Sequence, residues 1–161
     1  MDAPTGFSRL QISLHWVIAF LILGQFLFRE RIVKVVDALA QGGTTDITQA
    51  LPHVIGGTAI LALVIWRLVV RWRRGAPALP PEGNMVLDLI AKATHWLMYL
   101  LMLLIPVSGM AAWFGGVEAA ADAHRAMFLS LAALVALHVL GAVYHQWIKK
   151  DGLIRRMMKA G

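Results

Sequence analysis

Four long stretches of the chain carry no formal charge: Leu10 to Phe28, Ile47 to Trp66, Ala93 to Val117 and Ala126 to Ile148, each of 19 to 25 residues. A helix rises about 1.5 Å per residue, so every one of them can cross a hydrocarbon layer roughly 30 Å thick. The pattern predicts an all-α, polytopic membrane protein. Its four transmembrane helices should cover about 10–28, 48–72, 85–114 and 124–148, within a single membrane domain over 1–161. The first run has no small-residue cleavage motif, and a histidine lies close to its charged end, so it is read as a retained span rather than a signal peptide.

The connections have patterns of their own. Ile32, Val33, Val36 and Leu39 fall at helical spacing with charges between them, which predicts an amphipathic helix on the membrane surface. Gly42 to Thr45 mark a turn, and the second span should begin near Thr48 with Pro52 in its first turn, where a missing N–H costs little. Residues 73–84, R-R-G-A-P-A-L-P-P-E-G-N, read as a proline-rich hinge. Pro106 and Gly109 are expected to bend the third span, and G-G-V-E-A-A-A-D-A reads as a short connection to the fourth.

Composition agrees with this pattern: 59% of the 161 residues are hydrophobic. The net charge of +6 would fit a nucleic-acid binder, but its distribution argues otherwise. The N-terminal segment and first loop each sum to zero, the second loop to +3, the third to −1 and the tail after Ile148 to +4. By the positive-inside tendency, both termini and the second loop are cytoplasmic. The basic residues are thus topology signals and contacts for lipid headgroups rather than for nucleic acid. The absence of cysteine excludes disulfides, thiolate catalysis and thiolate-held clusters, so redox or metal chemistry must use histidine or methionine. The four uncharged runs contain no carboxylate, which argues against a cation transporter.

The histidines carry the candidate chemistry. His124 and His138 are 14 residues apart, about 40° short of four full turns and about 21 Å along a helix axis. One face therefore carries an imidazole near each side of the membrane, where ionisable groups are expensive without partners. By depth, His15 matches His138 and His53 matches His124, so each pair joins two different spans. Gly56 and Gly57, just below His53, would let a flat ring approach. A planar cofactor taking one axial nitrogen on each face fits between such helices, and two stacked haems would give electrons a path across the bilayer. A histidine relay, a transport role and purely structural histidines remain open at this point. Arg67 stands 14 residues after His53 and Arg71 four further on, as interfacial anchors or as partners for cofactor carboxylates. The third span has no second histidine at four-turn spacing and reads as a wall.

Several stretches resemble one family. They are S-R-L-Q-I-S-L-H-W from Ser8, H-V-I-G-G from His53 with R-L-V-V-R from Arg67, A-T-H-W-L-M-Y-L-L from Ala93 with P-V-S-G from Pro106, and the paired His124 and His138. Together they resemble the bacterial di-haem cytochrome b561 proteins, including the superoxide:ubiquinone oxidoreductase branch. The resemblance implies a four-helix bundle in the inner membrane, holding two haem b groups. It implies His15 and His138 on the inner iron and His53 and His124 on the outer. It also implies a ubiquinone site beside the inner haem, where His95 and His145 would donate to a carbonyl or relay protons. Lys149, Arg67 and Arg71 would contact haem propionates or the quinone head. Superoxide or another small donor would deliver electrons at the outer side. Two features depart from that branch: the third loop is shorter, and the outer side is not positive as an anion funnel should be. The alternative is a haem-bearing anchor subunit for a dehydrogenase or hydrogenase partner. Redox potentials, the physiological donor and a homodimeric state are not legible.

Overall fold

A computed structural model of the chain describes residues 6–77 and 85–161. Most of the proline-rich hinge, residues 78–84, lies outside the described residues. The order is α1 (Arg9–Leu27), α2 (Arg29–Ala40), a 3-10 turn (Ile47–Ala50), α3 (Leu51–Arg74), α4 (Met85–Gly115), α5 (Glu118–Tyr144), a π-helical turn (His145–Lys149) and the short α6 (Leu153–Arg156). Among the described residues, four helical stretches, including α3 with its 3-10 turn and α5 with its π turn, are long and apolar enough to cross a membrane.

Local chemistry sets the ends. Ser8 caps α1: its hydroxyl accepts from the Gln11 amide at 3.3 Å, and the Gln11 side chain accepts from the Ser8 amide at 3.0 Å. Asp46 caps the 3-10 turn through Thr48, and Pro52 sits in the first turn of α3, where no N–H is needed. Three arginines close α3 against the negative end of its dipole, and Gly75 ends it at φ 74°, a backbone that glycine adopts without strain. The surface helix expected after the first span is present as α2, with Val35 buried and Arg29, Arg31 and Lys34 exposed.

One boundary departs from expectation. The fourth span begins at Glu118 rather than near 124, so most of the stretch read as a connection is helix. The uncharged run was delimited by Glu118, Asp122 and Arg125, but charges bound a hydrophobic run and not a helix. Ala119, Ala120 and Ala121 are strong helix formers, and Glu118 and Asp122 suit the positive start of the dipole.

The spans pack in sequence: α1 on α3, α3 on α4, and α4 on α5. Ile18, Ile60, Val64 and Tyr99 form one core cluster joining α1, α3 and α4, and Met98, Leu101 and Leu131 form a second between α4 and α5. Phe20, Leu23, Leu129 and Leu140 point outward in the open, the reverse of a water-soluble bundle and the arrangement lipid requires. The chain is a multi-pass membrane protein. Its tail folds back over its beginning: the Trp16 indole donates to the Met157 carbonyl at 2.8 Å, and the Gly161 amide to the Phe7 carbonyl at 3.3 Å.

Candidate functional site

α5 makes extended backbone contact with α4 but not with α1 or α3 among the described residues. It reaches those two through side chains, and histidines are prominent among them. Near the termini, His15 of α1 faces His138 of α5 with ring centroids 6.3 Å apart. Near the opposite end, His53 of α3 faces His124 of α5 at 6.0 Å. The ring planes cross at 70° and 71° respectively. A metal–imidazole bond is about 2.0–2.1 Å, so two imidazoles sharing one metal from opposite sides have centroids roughly 6.2 Å apart. Both pairs have that separation.

The pair away from the termini, here the loop side, opens on a partly open cleft. Its walls are almost wholly apolar, with Ile22, Phe26, Ile105 and Phe128 beside the two histidines. Gly57 lines the cleft, and a Cβ there would meet nothing within 4 Å. Gln25 also lines it, with a buried side-chain oxygen that has no hydrogen-bond partner. Its amide nitrogen takes the place where Gly56 lacks a Cβ, so the glycine admits it. An apolar slot with an orphaned polar group at its lining and two opposed imidazoles fits a haem.

His124 is the most firmly held of the four. Its Nδ1 lies 2.8 Å from the Ile105 carbonyl, which can only accept, so Nδ1 carries the proton and Nε2 is left with a free lone pair. The ring can lie against α4 because residue 109 is glycine: a Cβ there would be 3.0 Å from both Cε1 and Nδ1. Pro106, expected to bend α4, sits inside its helical run, while the neighbouring Ser108 donates to the Ile105 carbonyl at 2.8 Å and Gly109 makes room for the His124 ring.

The tail-side pair has a different neighbourhood. His95 of α4 lies edge-on to His138, centroids 5.1 Å apart, with its Nδ1 2.6 Å from the Ala91 carbonyl. α4 is thus more than a wall. Arg67 donates from Nε to the Tyr99 hydroxyl at 2.9 Å and from a terminal nitrogen to the Gln11 carbonyl at 2.6 Å. Its charge acts on both His15 and His138. Gln11, buried, also donates to the Gly75 carbonyl at 2.9 Å, which locks the start of α1 to the end of α3. Arg71 stands over the Trp96 ring, 5.7 Å from its centroid.

Two of the residues assigned to the quinone site have partners of their own at the tail. His145 pairs with Asp151 across the turn beyond the π segment and lies edge-on to Tyr144, while Lys149 sits 6.0 Å over the Tyr144 ring. Outside the spans, the Asp151 carboxyl is held below its usual range. Burial alone would raise it, but the hydrogen bonds from His145 and the Leu153 amide and the charges of His145 and Lys149 outweigh burial. Sequence reasoning missed Gln11 and Tyr99 as supports of Arg67, and Ser108 and Ile105 as supports of His124. Gln11, Tyr99 and Ser108 are polar residues within motifs quoted for other reasons, and Ile105 acts through its backbone carbonyl, which side-chain identity does not signal.

A family model described as prokaryotic cytochrome b561 matches residues 6–160. A cytochrome b562 of Cereibacter sphaeroides is 36% identical over 159 residues, covering 99% of each chain. A probable superoxide oxidase CybB of Yersinia pestis is 28% identical, over 94% of this chain and 95% of that one. Cytochrome b561 homolog 1 of Escherichia coli K12 is 23% identical, over 94% and 96%.

Proposed function

The chain belongs to the prokaryotic cytochrome b561 family, a membrane oxidoreductase family built on b-type haem, and from that premise we propose a two-haem transmembrane electron carrier. His15 and His138 would hold one haem, and His53 and His124 the other. When bound, the two groups supply one-electron redox chemistry at two depths, joining a small donor such as superoxide on one side to ubiquinone on the other. What supports this reading is one observation: two imidazole pairs, each at the separation one metal requires, across helix gaps that backbone packing does not close.

The protein's own groups have separate tasks. On the loop side, the apolar walls exclude water, and the Ile105 carbonyl orients His124 so that its basic nitrogen faces away from α4. On the tail side, Arg67 places a fixed cation near both imidazoles, which favours added negative charge there. His95, its Nδ1 committed to Ala91, keeps Nε2 for a proton passing to or from a quinone oxygen. Arg71, over Trp96, and Lys149, over Tyr144, would bring positive charge toward an anionic or carbonyl head, and His145 would serve the quinone only by leaving Asp151. The basic tail and second loop support a cytoplasmic tail side, with the chain in the bacterial inner membrane.

The relationship to a probable superoxide oxidase supports superoxide as the donor. The test is the purified chain in liposomes with ubiquinone, supplied with superoxide from an enzymatic source. Quinone reduction by the chain alone is expected. Activity that appears only with a co-purifying dehydrogenase would replace this reading with that of an anchor subunit.

A further inference from the structure

The two imidazole pairs do not receive the same support from their surroundings, and the difference converges on one carbonyl. Ile105 O accepts from the His124 ring at 2.8 Å and also from the Ser108 hydroxyl at 2.8 Å. Ser108 Oγ is itself 3.4 Å from His124 Nδ1, too long to compete as an acceptor. Among the described residues, no carbonyl accepts from the ring of His15, His53 or His138: their close ring partners are other aromatic rings. We propose that Ser108 is a positioning residue that sets the electron affinity of the loop-side site by acting on His124 through the Ile105 carbonyl.

The chemistry has a definite sign. A carbonyl with a free lone pair accepts strongly from an imidazole N–H, pulls the ring toward imidazolate, and makes the opposite nitrogen a richer donor to a metal. A richer donor favours the ferric state. A hydroxyl donating to the same oxygen withdraws part of that density, leaving the imidazole a weaker donor and favouring the ferrous state. Ser108 is held for this: a serine within a helix back-bonds to a carbonyl three or four residues earlier, and here that carbonyl is the one His124 uses. Gly109, next along, leaves the space in which the ring meets it. The consequence is a loop-side site more easily reduced than the Ile105 carbonyl acting on His124 without Ser108 would make it, which suits a site that receives electrons.

The inference rests on His124 being an axial ligand, as proposed above. That premise is checked first: His124→Ala must lose one haem of two, and retention of both would overturn the ligand assignment and this inference with it. Next, Ser108→Ala and Ser108→Thr are compared with the unaltered full chain in detergent. At a fixed ambient potential, Ser108→Ala is expected to shift the ferric-to-ferrous ratio of the loop-side haem about threefold toward ferric, the size of one modest hydrogen bond. The tail-side haem should not move, the low-spin spectrum should persist, and threonine should restore the ratio. An unchanged ratio in Ser108→Ala, or an equal shift at both haems, would overturn the role of Ser108. An independent reading uses the haem-free chain, where nitrogen NMR should find the His124 proton on Nδ1; a proton on Nε2 would overturn it too.

Discussion

The two ends of the bundle solve the same geometric problem with different surroundings. At the loop side, a pair of imidazoles 6.0 Å apart sits in an apolar cleft, and the strongest polar contact is to a backbone carbonyl. At the tail side, a pair 6.3 Å apart is crowded by a third imidazole and a guanidinium fixed between Gln11 and Tyr99. A site that only passes electrons needs a dry, orienting wall. One that delivers electrons to a quinone, as proposed for the tail side, must also manage protons and developing negative charge, and among the described residues a third imidazole and a hydrogen-bonded guanidinium lie beside the pair at that end.

This contrast can be broken first at the ligands. His53→Ala should remove the loop-side haem and leave the other, and His15→Ala the reverse, so haem per chain halves in each while different absorbance components disappear. Loss of both haems from either variant, with the chain still folded, would show that the ends are not independent. The next largest effect is expected at His95. His95→Phe removes a proton-carrying group but keeps a ring against His138, so quinone reduction should fall about a hundredfold, the lower range for general acid–base catalysis. Haem content and reduction by dithionite should not change. If quinone turnover is unaltered, the tail side owes nothing to its third imidazole.

A smaller change is expected at Gly109. Gly109→Ala pushes a methyl group to within 3.0 Å of the His124 ring and should weaken retention of the loop-side haem about tenfold, with no effect at the tail side. Haem loss to apomyoglobin, followed separately for the two components, measures it. The smallest effect concerns the tail clasp. Because Asp151 is held below its ordinary 3.8, its contacts stabilise the folded tail fully above that pH and lose their contribution only as pH falls through the lowered value. Protection of the Leu153 amide, the slowing of its exchange relative to that of an unstructured chain at the same pH, should therefore be flat across neutral pH and fall only in acid. Asp151→Asn should remove that acid limb.

The four spans could be read from the sequence because uncharged runs of this length have few other uses in an unbroken chain. The surface helix α2 could be read from the spacing of Ile32, Val33, Val36 and Leu39. The depth of each histidine followed from helix rise alone. What sequence could not supply was contact across helices. Nothing in the spacing says that Ser108 and His124, 16 positions apart, meet at the Ile105 carbonyl, or that Arg67 reaches Tyr99 and Gln11, 32 and 56 positions away. The early start of α5 was hidden for a simpler reason: Glu118 and Asp122 end the hydrophobic run, while the alanines between them extend the helix. His145 was placed by angle on its helix, but Asp151 lies beyond a turn that helical arithmetic does not describe.

The central claim is that four imidazoles hold two irons, one at each end of the bundle. Haem quantification on the purified chain, combined with electron paramagnetic resonance of the oxidised form, tests it most directly. The account requires two haems per chain, both low-spin with two nitrogen axial ligands, and with distinguishable signals for the apolar and the cationic surroundings. A chain that stays colourless when haem is abundant, or one that saturates at a single haem, would contradict it.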